Sequence, residues 1–130
     1  MGYDFMFQKA KDLSNLCFPC KEGEFDLEER SFPWQALKQH LLSLGAVEQD
    51  FSEFGLPSNY RWEIEGKGAI YVDGNESYAS LDTHADWCVV LDLFFWLREI
   101  DPRIVLADPS VGNYYDPESF RRFIADVHNA

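Results

Sequence analysis

The sequence predicts one α+β domain over residues 1–130, with helices on one face of an antiparallel sheet and a further helix at the C-terminus. Three observations predict it. Three runs carry apolar residues at helical spacing, and the segments between them alternate apolar with polar residues as half-buried strands do. The centre of the chain strings several such strands together through tight-turn signals, which join antiparallel neighbours. No repeat or long linker divides the chain, and 130 residues that are 46% hydrophobic and 16% aromatic suffice for one core without disulfides.

Tyr3–Phe7 (YDFMF) is rich in β-favouring aromatics and reads as the first strand. Lys21–Arg30 (KEGEFDLEER) packs Glu22, Glu24, Asp26, Glu28 and Glu29 around Phe25 and Leu27; it fits an acidic edge strand or a solvated loop. Phe32–Ala46 is the first helix. Pro33 suits its first turn, Trp34, Leu37, Leu41 and Leu44 recur at helical spacing, and Gly45 sits where a C-terminal cap belongs. Glu48–Asn59, with Gly55, Pro57 and Ser58, reads as a loop.

Arg61–Glu65 alternates Trp62 and Ile64 with acids, Gly66-Lys67-Gly68 turns the chain, and Ala69–Val72 is the next strand. Asp73-Gly74 signals a hairpin into a strand over Tyr78–Leu81. Thr83, three residues before Asp86, resembles a capping box and opens a second helix whose Trp87, Val90, Leu91, Phe94 and Leu97 cover a wide arc. Arg103–Ala107 is a short apolar strand, and Asp108–Ser119 is rich in turn residues. Asp116-Pro117 starts the last helix as cap and first-turn proline, with Phe120, Phe123, Ile124 and Val127 as its apolar stripe. The order β-α-β-β-β-α-β-α fits a split β-α-β arrangement resembling the ferredoxin-like fold, enlarged by one central strand and the final helix.

Charge narrows the function. With 23 acidic against 11 basic residues the formal net charge is -12, which repels nucleic acid and anionic membranes and attracts a basic protein. The longest apolar run, Trp87–Leu97, is broken by Asp92 and is too short for a membrane span. With three cysteines and no signal peptide in the sequence, free thiols in the cytoplasm are expected.

Four groups of residues offer chemistry. His84 and Cys88 lie four apart, and with the Cys17-Phe18-Pro19-Cys20 pair they would complete a tetrahedral zinc set. A single C-x-x-C in a core-rich chain argues against it, and no metal or cofactor is expected. A redox role for Cys17 and Cys20 would need a helix N-terminus, whereas Lys21-Glu22-Gly23-Glu24 follows. Glu63 with Glu65, or Asp82 near His84, would pair carboxylates or a histidine for acid–base work only inside a pocket. His40 and His128 read as surface residues.

The expected function is therefore binding: an acidic domain that neutralises or regulates a basic protein partner. Its candidate contacts are Glu22, Glu24, Asp26, Glu28 and Glu29, with Trp62, Tyr114 and Tyr115 as aromatic anchors and Tyr60 beside them. Homodimerisation through the aromatic surplus is compatible with this. The alternative is a small enzyme or zinc-binding protein with a site near His84 and Cys88. The segments GYDFMF (Gly2–Phe7) and IVLADPSVGNYYDPESF (Ile104–Phe120) resemble small uncharacterised bacterial α+β proteins, including immunity proteins of toxin systems. That resemblance implies a small cytoplasmic protein that covers a toxin domain. It carries over no functional residue.

Overall fold

The computed structural model describes residues 2–128. Eight strands and three α-helices follow one another as β1 (Tyr3–Lys9), β2 (Cys20–Lys21), α1 (Trp34–Ser43), β3 (Val47–Gln49), β4 (Asn59–Ile64), β5 (Gly68–Gly74), β6 (Tyr78–Ala85), α2 (Trp87–Ile100), β7 (Ile104–Asp108), β8 (Asn113–Tyr115) and α3 (Pro117–His128). The strands form one open sheet in the order β2-β8-β7-β1-β6-β5-β4-β3, and every neighbouring pair is antiparallel. Without the three shortest strands the element order is the expected one. A ferredoxin-like arrangement is not confirmed, because the sheet is larger than that fold provides.

Alternation along the strands sorts side chains onto two faces. Phe5 and Phe7 of β1, Ile70 and Val72 of β5, Ala79 and Leu81 of β6, and Ile104 and Leu106 of β7 point to one of them. There they meet Leu37 and Leu41 of α1, Val90, Phe94 and Leu97 of α2, and Phe120 and Ile124 of α3, so all three helices cover the same face. Phe94 sits between Phe7 and Phe120, at ring distances of 5.6 and 6.4 Å. The opposite face is covered over only part of its width. Leu13, Phe18, Phe25 and Leu27, from the segment between β1 and α1, pack against Ala10, Val105, Ala107 and Tyr114. Among the described residues no apolar segment covers this face over β6, β5, β4 and β3, where most side chains are polar and Val47 of β3 is an exposed exception.

Several local expectations are corrected. Thr83 does not open α2. It belongs to β6, 2% exposed and turned to the core, because the alternation of Ala79, Leu81 and Thr83 carries the strand on to Ala85. Asp86 is the cap instead, its Oδ1 accepting from the Cys88 N–H at 2.9 Å. The β5–β6 turn lies at Asn75–Ser77, just past Asp73-Gly74, and Asn75 Oδ1 holds it by accepting from the Ser77 N–H at 2.7 Å. Leu44 is 45% exposed, outside the buried stripe of α1.

Other local signals are met. Asp116 caps α3, accepting from the Ser119 N–H at 2.9 Å. Gly45 takes φ +99° after the first helix. Gly68 has φ +108°, and a Cβ there would collide with the His84 carbonyl on β6, so the Gly66-Lys67-Gly68 turn depends on it.

Candidate functional site

The polar part of the sheet is a patchwork set by strand register. Asp4 stands opposite Asp82, Tyr71 lies on the other side of Asp82, Asp73 is opposite Ser80, and Arg61 is opposite Tyr71. Asn59, Tyr71, Asp73, Ser80, Asp82 and His84 line an open depression of about 440 Å³ in this face. A second hollow on the far side of His84 is lined by Gly2, Tyr3, Thr83, Ala85 and Trp87. Gly2 runs so close to the Asp82 and His84 side chains that a Cβ would collide with them.

His84 Nε2 lies 3.0 Å from Asp82 Oδ1, with side chains 41% and 52% exposed. The Tyr71 ring meets the imidazole edge-on at 5.9 Å. Ser80, Asp82 and His84 alternate along β6, so all three reach the open face. Residues four apart in a strand are separated by about 13 Å, however, so His84 cannot take a proton from Ser80. The only partner within its reach on that strand is Asp82, and no nucleophile–base pair forms. Both members of the His84–Asp82 pair are bathed in solvent, which screens the charges that acid–base catalysis would use. The arrangement can hold and orient a ligand group.

Four features make the face attractive to a cation. Asp4 and Asp82, directly opposed, repel each other across the strands. Among the described residues neither Asp4 nor Asp73 forms a salt bridge, whereas the nearby Arg61 is already paired with Glu63. Burial pushes the Asp73 carboxyl above its ordinary value, against the pull of its own backbone N–H. Asn59 adds a buried Oδ1 without a hydrogen-bond partner at the edge of the depression.

The residues singled out by the sequence are scattered. Glu22, Glu24, Asp26 and Glu29 are exposed and Glu28 is half-buried. Their companions Phe25 and Leu27 turn inward, Phe25 packing edge-on against Tyr114 at 4.9 Å. Tyr114 and Tyr115 are 8% and 3% exposed, and as core residues they cannot serve as surface anchors. Trp62 is half-buried on the helix-covered face, and Tyr60 is buried beside it.

Cys17, Cys20, Cys88 and His84 do not converge: among the described residues no three His, Cys, Asp or Glu side chains stand together as metal ligands. Burial, with Glu24 and Asp116 nearby, pushes the Cys20 thiol up, and burial with Asp86 does the same to Cys88. Thiols held protonated do not support a redox nucleophile. His40, expected at the surface, stacks on Trp96 of α2 at 3.9 Å, and burial lowers its pKa.

Sequence reasoning reached Asp82 beside His84 but missed Asn59, Tyr71, Asp73 and Ser80. The available signal was period-two alternation through β5 and β6, which puts Tyr71, Asp73, Ser80, Asp82 and His84 on one face. Fold and site together define a class: an α+β protein with an eight-stranded open antiparallel sheet, helices on one face, and a partly uncovered polar surface on the other. No protein-family model, curated protein sequence or solved structure matches the chain. Among the described residues no helix is long and apolar enough to cross a membrane.

Proposed function

We propose that the chain is an acidic protein-binding domain that neutralises or regulates a basic protein partner, as an immunity protein of a toxin system does. The open part of the sheet is its contact surface. The observation that carries this reading is the depression over β4, β5 and β6, where Asp73 and Asp82 stand with Asp4 beside them and no lysine or arginine among the lining residues. Lysine or arginine side chains of a partner would relieve the Asp4–Asp82 repulsion and offset the desolvation of Asp73. Glu22, Glu24, Asp26, Glu28 and Glu29, on the segment covering the other part of this face, would steer the encounter. The three free thiols suit a cytoplasmic setting. In fold terms, β6 and β7 flank β1, both antiparallel to it, and are joined through α2; this supports the split β-α-β reading of that part of the sheet.

A second reading draws on the His84–Asp82 pair, which could anchor a small ligand in the same depression. Native mass spectrometry of protein recovered from its host at low ionic strength separates the two. A co-purifying basic protein whose affinity falls with ionic strength and with Asp73→Lys or Asp82→Lys supports the first. A bound small molecule without a protein partner, or affinity indifferent to salt, overturns it.

A further inference from the structure

The two ends of the sheet are finished differently. At one end β2 is two residues long, carries Lys21 and follows Pro19, devices that keep an edge from pairing with foreign strands. At the other end β3 is short but lacks both, no strand of the described residues lies along its outer side, and Val47 is 63% exposed. Leu44, at 45%, Phe54, at 69%, and Leu56, at 57%, lie in the flanking chain. With Val47 and Leu42 they are five of the nine large hydrophobic residues that stand exposed among the described residues, all within residues 42–56. Such a concentration marks an interaction surface, whereas apolar residues scattered singly do not.

Charge identifies the occupant. Glu48, Asp50 and Glu53 fall between these apolar residues in the sequence, and no lysine or arginine occurs between Lys38 and Arg61. A second copy of the chain would bring the same acids to the same edge, on a molecule of net charge -12. A basic segment meets no such repulsion. Val47 and Gln49 also border a small cavity of about 160 Å³ with Gly45, Arg61 and Glu63, on the face that continues into the acidic depression.

We propose that an extended segment of the partner, alternating basic with apolar residues, adds to β3 as a ninth strand. Its backbone pairs with the free edge of Val47–Gln49, its apolar side chains cover Val47 on the open face, and its cations on the other face meet Glu48. Strand addition of this kind draws affinity from main-chain hydrogen bonds and specificity from alternate side chains. The inference rests on the reading of a basic partner and specifies where and in what conformation that partner binds.

The test uses two synthetic heptapeptides of alternating lysine and valine, one carrying a central proline in place of valine. Fluorescence anisotropy gives affinities, and amide hydrogen exchange locates the site. The all-strand peptide is expected to slow exchange at Val47–Gln49, and to bind about tenfold more tightly than the proline peptide, the loss expected when one or two main-chain hydrogen bonds are removed. Val47→Lys, at an exposed site, should weaken it about as much without changing the thermal midpoint. Equal binding of both peptides, centred on Asp4, Asp73 and Asp82, overturns strand addition and leaves the basic-partner reading intact. No binding of either peptide overturns both. A peptide-free dimer that Val47→Lys dissociates overturns the inference in favour of a second copy.

Discussion

Among the described residues Lys9 is the one buried lysine, and removing its partner should cost more stability than removing the lysine itself. Lys9, at the end of β1, places its Nζ 2.7 Å from Asp101 Oδ2, with side chains 6% and 17% exposed. Its other polar contact is the Ser31 carbonyl at 3.5 Å. Asp101→Asn leaves the ammonium desolvated beside a neutral amide; the loss of one partner from a buried pair costs about 3–5 kcal/mol. With a urea slope of about 1.5 kcal/mol per M, the unfolding midpoint should fall by about 2 M or more.

Lys9→Met costs less, about 1–2 kcal/mol, because Asp101 is the more exposed partner and keeps the Arg103 N–H at 3.0 Å and the Arg103 Nε at 3.4 Å. Acid titration checks the same pair. Burial alone would raise the Asp101 pKa, but the hydrogen bond from Lys9, the Arg103 N–H and the Lys9 charge outweigh it and hold the carboxyl below its ordinary value. Stability from ionised Asp101 is therefore complete above about pH 4 and lost as pH falls through the lower folded-state value. The gap between wild type and Asp101→Asn should close over that acid range. A midpoint drop larger for Lys9→Met than for Asp101→Asn, or a gap that stays constant into acid, would refute this account of the pair.

Three further outcomes are expected. Phe94→Ala, at a site 0% exposed between Phe7 and Phe120, should cost about 3–5 kcal/mol in chemical denaturation. Asp86→Ala removes the α2 cap and should cost about 1 kcal/mol, while Thr83→Ala should leave the helix start unchanged by hydrogen exchange. Asp73→Asn should raise the thermal midpoint at neutral pH. Because burial raises the folded-state pKa of Asp73, ionisation works against folding above that value, so the gain should vanish in acid, where Asp73 is protonated in both states.

The fold was legible wherever one face of an element is buried. Ile70 and Val72, or Phe120 and Ile124, are spaced by their periodicity, and the helices and long strands follow from it. The short strands were not legible, because β2, β3 and β8 contain two or three residues each and show no period of their own. Val47–Gln49 becomes a strand only through pairing with Asn59–Arg61, a long-range fact that a loop-like sequence conceals. His84 was misplaced for a related reason. Thr83 and Asp86 have the spacing of a helix start, and the burial of Thr83 against the core overrides that local signal. The tyrosines beside α3 illustrate the reverse error: a turn-rich surrounding reads as surface, yet Tyr115 packs on Phe123 at 5.1 Å.

The acids at Glu22–Glu29 and those on the open face should contribute to binding in different ways. Phe25 and Leu27 turn inward to cover Tyr114 and Val105, so the intervening acids face solvent as a consequence of that cover. Glu22, Glu24 and Asp26 are exposed, and Glu29 borders a hollow that it shares with Arg30, whose own cation stands in the way of a partner's. Exposed charges of that kind act at a distance, on the rate of encounter, and are screened by salt. Asp73 is half-buried in a depression, where contact with a cation is made only after docking and sets how long the complex lasts. Reversing Glu22, Glu24 and Asp26 to lysine should therefore slow association severalfold at low ionic strength, with little effect on dissociation. Asp73→Lys should chiefly speed dissociation. Stopped-flow and surface-binding kinetics with the basic partner distinguish the two. A dissociation rate that responds equally to both sets of changes would mean that Glu22–Glu29 lies within the contact itself.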